Sequence, residues 1–226
     1  MQSMHEKLLA DVFAERERLT SRRDLLASGG KLAVGGMVAT AIFGSPLLRE
    51  TGVMAQDSTP EAPAFSNDIE VLNYALTLEH LEYAFYRDGI GQFDFGVGPF
   101  NEDIGTYLAA VRDHEGAHVD TLTQVITDLG GTPVAEATYD FGYTDGRSFL
   151  QTASALENTG VRAYDGAGAA ISDPGLLTAA GGIVAVEARH ASYLNLLIGE
   201  IPFPEAFEDP ATMEEILAIA GPFIVA

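Results

Sequence analysis

The chain has 226 residues, no cysteine and a formal net charge of −21, which excludes disulfides, iron–sulfur clusters, thiolate zinc sites and cysteine nucleophiles. The charge is unevenly placed: seven of the 12 basic residues precede Gln56, and beyond it there is no lysine and 27 acids face five arginines, a formal charge of −22. Such a surface repels nucleic acid and anionic membrane and attracts cations; solubility in a salty milieu, where screening weakens self-repulsion, explains it equally well.

Residues 1–55 read as an address. Ser21-Arg22-Arg23-Asp24-Leu25-Leu26 has the form of a twin-arginine export signal. A weakly apolar, Gly/Ala-rich stretch follows from Leu32 to Leu48, and Val53-Met54-Ala55 offers small residues for cleavage. A transmembrane anchor is the competing reading, but about 17 residues is short for a bilayer. The expectation is export by the twin-arginine machinery to the periplasm or beyond. Residues 56–65 form a short linker.

Residues 66–199 carry four helical patterns. Ser66 or Asn67 can cap the first, with Asp68 and Glu70 suited to its first turn. Its seam reads Leu72, Ala75, Glu79, Glu82 and Tyr86, or in another phase Ile69, Leu72, Leu76, Glu79, Tyr83 and Tyr86. Glu79 is in both phases and Glu82 in only one. The helix is expected to end near Gly89, and the second to start near Asn101 as its cap. That second seam is Ile104, Leu108, Val111, Glu115, His118, Leu122, Val125 and Leu129. A stretch from Gly130 to Gly146 is long enough to cross the bundle. The third seam is Leu150, Ala153, Glu157, Gly160, Tyr164, Ala167 and Ile171. A turn at Ser172-Asp173-Pro174-Gly175 leads to the fourth: Leu176, Ala180, Ile183, Glu187, His190, Leu194 and Leu197.

The second and fourth seams are apolar except for one Glu-x-x-His each, Glu115/His118 and Glu187/His190. A buried carboxylate and imidazole cost several kcal/mol unless something satisfies them. The order Glu, Glu-x-x-His, Glu, Glu-x-x-His is the ligand pattern of a dimetal carboxylate bundle. Depth agrees: at roughly 1.5 Å per residue, the acids of each hairpin fall within about 3–6 Å of the same level. The remaining segment, 200–226, carries a short helix from Met213 to Ala220 and is expected to pack on the bundle.

Leu72-Asn73-Tyr74-Ala75-Leu76-Thr77-Leu78-Glu79, Ala155-Leu156-Glu157-Asn158-Thr159-Gly160-Val161 and Pro204-Glu205-Ala206-Phe207 resemble the ferritin-like superfamily, and within it the exported ferritin-like-domain and desiccation-related branch. The resemblance spans about residues 66–226. It implies an all-α, ferritin-like four-helix bundle with one long crossover between helices two and three. It also implies a non-haem centre of two iron or manganese ions acting on oxygen or peroxide, as in ferroxidases, peroxidases or manganese catalases.

The ligands expected are Glu79, Glu115, His118, Glu157, Glu187 and His190, with Glu82 as an acid backing the ligands, a substitute ligand, or a solvent-facing acid. Glu115 and Glu187 would bridge; Glu79 and Glu157 would be terminal. Oxygen and nitrogen donors suit iron or manganese. Gly160 would leave room at the centre. No haem is expected, because Met213 is the only methionine after Gln56, and no phosphate-binding glycine loop points to a nucleotide. His80 and His114 are expected at the surface, and Tyr83, Tyr86 and Tyr164 in packing roles. Arg112 and Arg189 could pair with Asp113 or Asp165. Two functions stay open: a dimetal oxidoreductase, or a non-catalytic stress or envelope scaffold, with metal sequestration without turnover lying between them. Self-assembly into a homo-oligomer is compatible with either.

Overall fold

The computed structural model describes residues 65–225; the segment expected to be an export signal and most of the expected linker lie outside these. Four long helices carry the fold: α1 (Asp68–Gly89), α2 (Ile104–Asp128), α3 (Gly146–Gly168) and α4 (Pro174–Ile198), followed by the short α5 (Met213–Ala220). Two short strands, β1 (Thr138–Tyr139) and β2 (Ile224–Val225), pair antiparallel. No described helix is long and apolar enough to cross a membrane.

Each helix begins where the sequence supplies an oxygen for its free N–H groups. The Asn67 side chain accepts from the Glu70 amide to cap α1. Asp145 and Ser148 form a reciprocal capping box on α3, and Thr212 and Glu215 another on α5. Pro174 opens α4, capped by Asp173, where its missing N–H costs nothing. Gly199 ends α4 in the left-handed region, at φ 86°.

The start of α2 differs from the sequence expectation. Its cap is Asp103, whose carboxylate accepts from the Thr106 amide. Asn101 instead takes a left-handed turn at φ 62°, a conformation its short polar side chain tolerates. The turn lets Glu102 fold inward, where its carboxylate accepts from the Phe100 amide at 2.7 Å and the Tyr193 hydroxyl at 2.8 Å. The loop is thereby tied to α4.

The topology follows from the contacts. The start of α1 (Leu72, Leu76) clusters with the end of α2 (Leu122, Ile126). The end of α1 meets the start of α3, where Phe85 stacks on Phe149 with ring centroids 4.4 Å apart. Thus α1 runs antiparallel to both α2 and α3, and α2 and α3 run parallel. One long crossover between two antiparallel hairpins is the ferritin-like arrangement. The crossover carries Phe141 and Tyr143 edge-on against Phe85, and β1 binds it to the tail strand.

The tail also lies against α3. The Ala211 amide donates to the Arg162 carbonyl at 3.1 Å, and Arg162 Nε to the Asp209 carbonyl at 3.0 Å. This approach depends on Gly166: a Cβ there would stand 1.9 Å from the Ala211 carbonyl oxygen.

Candidate metal centre

All six expected ligand residues meet in the middle of the bundle. Glu79 on α1, Glu115 on α2, Glu157 on α3 and Glu187 on α4 are fully buried. His190 is also buried, while the His118 side chain retains 12% of its exposure. Helical spacing accounts for the convergence: in each Glu-x-x-His the two residues lie one turn apart on one face. The matched depths of the hairpins then bring the four seams to one level.

Two overlapping groups result. Glu79, Glu115, His118 and Glu187 bring one ligand atom each within 4.8 Å of one another, and so do Glu115, Glu157, Glu187 and His190. Glu115 and Glu187 belong to both groups. Glu79 and Glu157 belong to one each. The pattern has the connectivity of two adjacent cation positions joined by two shared carboxylates.

The donor chemistry fits cations better than protons alone. Nδ1 of His118 lies 3.2 Å from Glu79 Oε2, 3.1 Å from Glu115 Oε2 and 3.0 Å from Glu187 Oε1. Nδ1 of His190 lies 3.0 Å from Glu115 Oε1 and 3.2 Å from Glu157 Oε2. One ring nitrogen donates one hydrogen, so it cannot satisfy two or three carboxylates at once. Both oxygens of Glu187 and Oε1 of Glu115 are buried without a hydrogen-bond partner. Such atoms cost about 1–3 kcal/mol each, more when charged. A cation between them would satisfy all of these oxygens and both imidazoles.

Electrostatics describe the same strain. Burial, offset in part by His118, raises Glu79 and Glu115 above the ordinary carboxylate range. Burial and the neighbouring Glu115 raise Glu157. Burial and Glu157 push Glu187 up much further. Burial would lower both imidazoles, but their glutamate neighbours outweigh it and raise His118 to about 12 and His190 to about 10.

Glu82 faces inward. It is buried, is pushed well above the ordinary range by burial and by the charges of Glu187 and Glu157, and stands outside both ligand groups. Its carboxylate occupies the room at Gly160, where a Cβ would come within 2.9 Å of Glu82 Oε1. The phase of the α1 seam that includes Glu82 is therefore a buried one.

Three surrounding residues depart from expectation. The Tyr86 hydroxyl donates to Glu157 Oε1 at 2.6 Å, and the Tyr164 hydroxyl donates to Glu79 Oε1; both do more than pack. His114 is exposed as expected, yet its Nδ1 lies 2.9 Å from His190 Nε2 and the rings stack at 12°. Helix phase put His114 off the seam, and only the approach of α4 to α2 shows the contact. His80 stands apart from the centre, with Nε2 3.2 Å from the Val134 carbonyl. Arg112 pairs with Asp113 at the surface at 2.6 Å.

Fold and site together define a four-helix bundle with a buried Glu/His cluster able to hold metal. Residues 67–200 match the model of the ferritin-like domain family, and the chain belongs to that family. Among solved structures it is similar to a ferritin-like, diiron-carboxylate protein from Bacillus anthracis str. Ames, with a TM-score of 0.51, 22% identity, and 58% of this chain and 94% of that one covered. It is also similar to a conserved hypothetical protein from Mycobacterium tuberculosis, with a TM-score of 0.50, 20% identity, and 61% and 94% covered. At these identities the likeness is one of fold. No protein of curated function matches the chain.

Proposed function

We propose that this chain is an exported ferritin-like protein that binds two iron or manganese ions through Glu79, Glu115, His118, Glu157, Glu187 and His190 and uses them on oxygen or peroxide. The observation carrying the reading is the sharing of Glu115 and Glu187 between two buried four-residue groups. Support for iron comes from the diiron-carboxylate relative of similar fold. The twin-arginine pattern at Ser21–Leu26 supports export, and the quoted segments support a place in the desiccation-related branch.

When bound, the metal pair would supply Lewis acidity and electrons for reduction of an oxygen species. The chain's own residues prepare its environment. Tyr86 and Tyr164 fix the orientations of the two terminal carboxylates by donating to them. His114 can accept from His190 Nε2–H, which would leave the Nδ1 lone pair free for a cation held among the carboxylates. Glu82 can hold a proton within the bundle, because burial and the surrounding carboxylates favour its neutral form.

The test is metal content by plasma mass spectrometry on purified full-length protein. About two ions per chain are expected, and substitution Glu115→Ala or Glu187→Ala should abolish binding with helicity retained. Stoichiometric metal in both variants would overturn the ligand assignment. A chain that stays empty after anaerobic loading with either ion would make it a scaffold. With metal bound, paired ferroxidation and peroxide-turnover assays identify the reaction, and absence of both leaves metal sequestration.

A further inference from the structure

One turn from the ligands, on the side of the α3–α4 connection, the bundle core is hollow. Ala75 precedes Glu79 by one turn, Leu122 follows His118 by one turn, and Ile183 precedes Glu187 by one turn; all three line a cavity of about 40 Å³. Tyr164 forms part of its wall and is the residue whose hydroxyl donates to Glu79. The cavity therefore shares a side chain with the candidate metal centre. Its rim includes the exposed Thr121 and Ala179, between α2 and α4.

Size and polarity select the occupant. An apolar cavity of about 150 Å³ accepts a benzene ring, so this one is too small for ring-sized organic molecules. The lining is almost wholly aliphatic: Thr121 spends its hydroxyl on the Ala117 carbonyl at 2.7 Å and Tyr164 spends its own on Glu79. The Tyr74 hydroxyl is the buried lining group without a partner. Hydrogen peroxide carries two O–H donors and several lone pairs, and one hydroxyl cannot satisfy them. A diatomic apolar gas loses nothing by entering.

We infer that this cavity admits dioxygen and delivers it to the centre past Tyr164, which makes dioxygen, and not peroxide, the oxidant that this route serves. The inference rests on the dimetal reading above and narrows its co-substrate. Two ferrous ions held by the six residues would supply the two electrons that, with two protons from solvent, take dioxygen to hydrogen peroxide, leaving two ferric ions; the cavity supplies passage alone.

Two variants block the passage at different depths: Ala180→Phe on the half-buried wall and Ala179→Phe on the exposed rim, where a surface substitution is expected to cost little stability. Full-length protein without metal is titrated with xenon by NMR; then anaerobically loaded ferrous protein is mixed with dioxygen or with peroxide. Wild type should bind xenon, and at least one blocking variant with wild-type helicity and iron content should lose it. That variant should react about tenfold more slowly with dioxygen and within about twofold of wild type with peroxide. Unchanged dioxygen rates despite lost xenon would overturn the route, as would equal slowing with both oxidants or wild type without bound xenon. A wild-type chain that takes up no iron would instead overturn the dimetal reading and the route with it.

Discussion

Tyr86 and Tyr164 stand in the same relation to opposite halves of the bundle. Tyr86 lies two turns beyond Glu79 on α1 and donates to Glu157 on α3; Tyr164 lies two turns beyond Glu157 and donates to Glu79. The bonds cross because α1 and α3 run antiparallel, so each tyrosine points back at its partner's acid. The two hairpins thus repeat one arrangement, acid and tyrosine on the first helix and Glu-x-x-His on the second.

The crossed pair gives a first prediction. Tyr86→Phe and Tyr164→Phe each remove one hydrogen bond to a buried carboxylate, worth about 1.5–3 kcal/mol when the acceptor is charged. Metal affinity should fall about 10–100-fold in each, measured by competition with a chelator. The double variant should lose more than either single one. Unchanged affinity in both would make the tyrosines packing residues.

A second concerns His114. His114→Ala removes the group 2.9 Å from His190 Nε2 and frees the ring to turn, so affinity should again drop about 10–100-fold. His80→Ala, away from the centre, is the matched control and should change affinity by less than about twofold. Equal effects of the two substitutions would deny His114 an orienting role.

The six converging residues also fix how stability responds to pH. His118 and His190 bind protons more tightly folded than unfolded, with values raised from 6.5 to about 12 and about 10. Their contribution is complete below about pH 6.5 and is lost as pH rises through the folded values. Glu79, Glu115, Glu157 and Glu187 are raised as well, so their protonated forms also favour the fold at low pH. The Tm of the metal-free protein should therefore fall between about pH 5 and about pH 9. Metal binding displaces these protons and should strengthen over the same interval. The gap in Tm between loaded and empty protein should widen with pH and survive about 0.5 M salt, which screens surface repulsion but reaches buried groups poorly. A metal-free Tm that is flat or rising would contradict the assignment.

The tail can be tested through one atom. Gly166→Ala would put a Cβ 1.9 Å from the Ala211 carbonyl, a backbone clash that only displacement of residues 209–211 relieves. Loss of about 1–3 kcal/mol is expected, with faster amide exchange confined to the tail and the crossover. Gly181→Ala, where a Cβ meets nothing within 4 Å, should stabilise α4 slightly.

The four helices and the six converging residues were legible because helical periodicity and hairpin length are local arithmetic. That Glu115 and Glu187 belong to both groups agrees with the bridging places that the ferritin-like resemblance implied, which periodicity alone does not assign. What periodicity could not supply was the relation between helices distant in sequence. The Tyr86–Glu157 and Tyr164–Glu79 bonds need the antiparallel setting of α1 and α3. The His114–His190 contact needs the approach of α2 to α4, which no single-helix seam reports. Asn101 misled as a cap because the inward turn of Glu102 moves the helix start to Asp103. Glu82 stayed ambiguous because both α1 phases fit the sequence, and its burial against Gly160 resolves it.

The clasp between Thr138–Tyr139 and Ile224–Val225 has a consequence in time. The crossover that sets α3 parallel to α2 acquires its strand partner only when residues 224–225, some 85 positions later, have been synthesised. Until then Phe141 and Tyr143 hold the crossover against Phe85 without the strand pairing, and the bundle can close around an ion but not be latched. A chain shortened before Ile224 should reach the same four-helix core and open it more often, releasing metal faster without any change at the ligands.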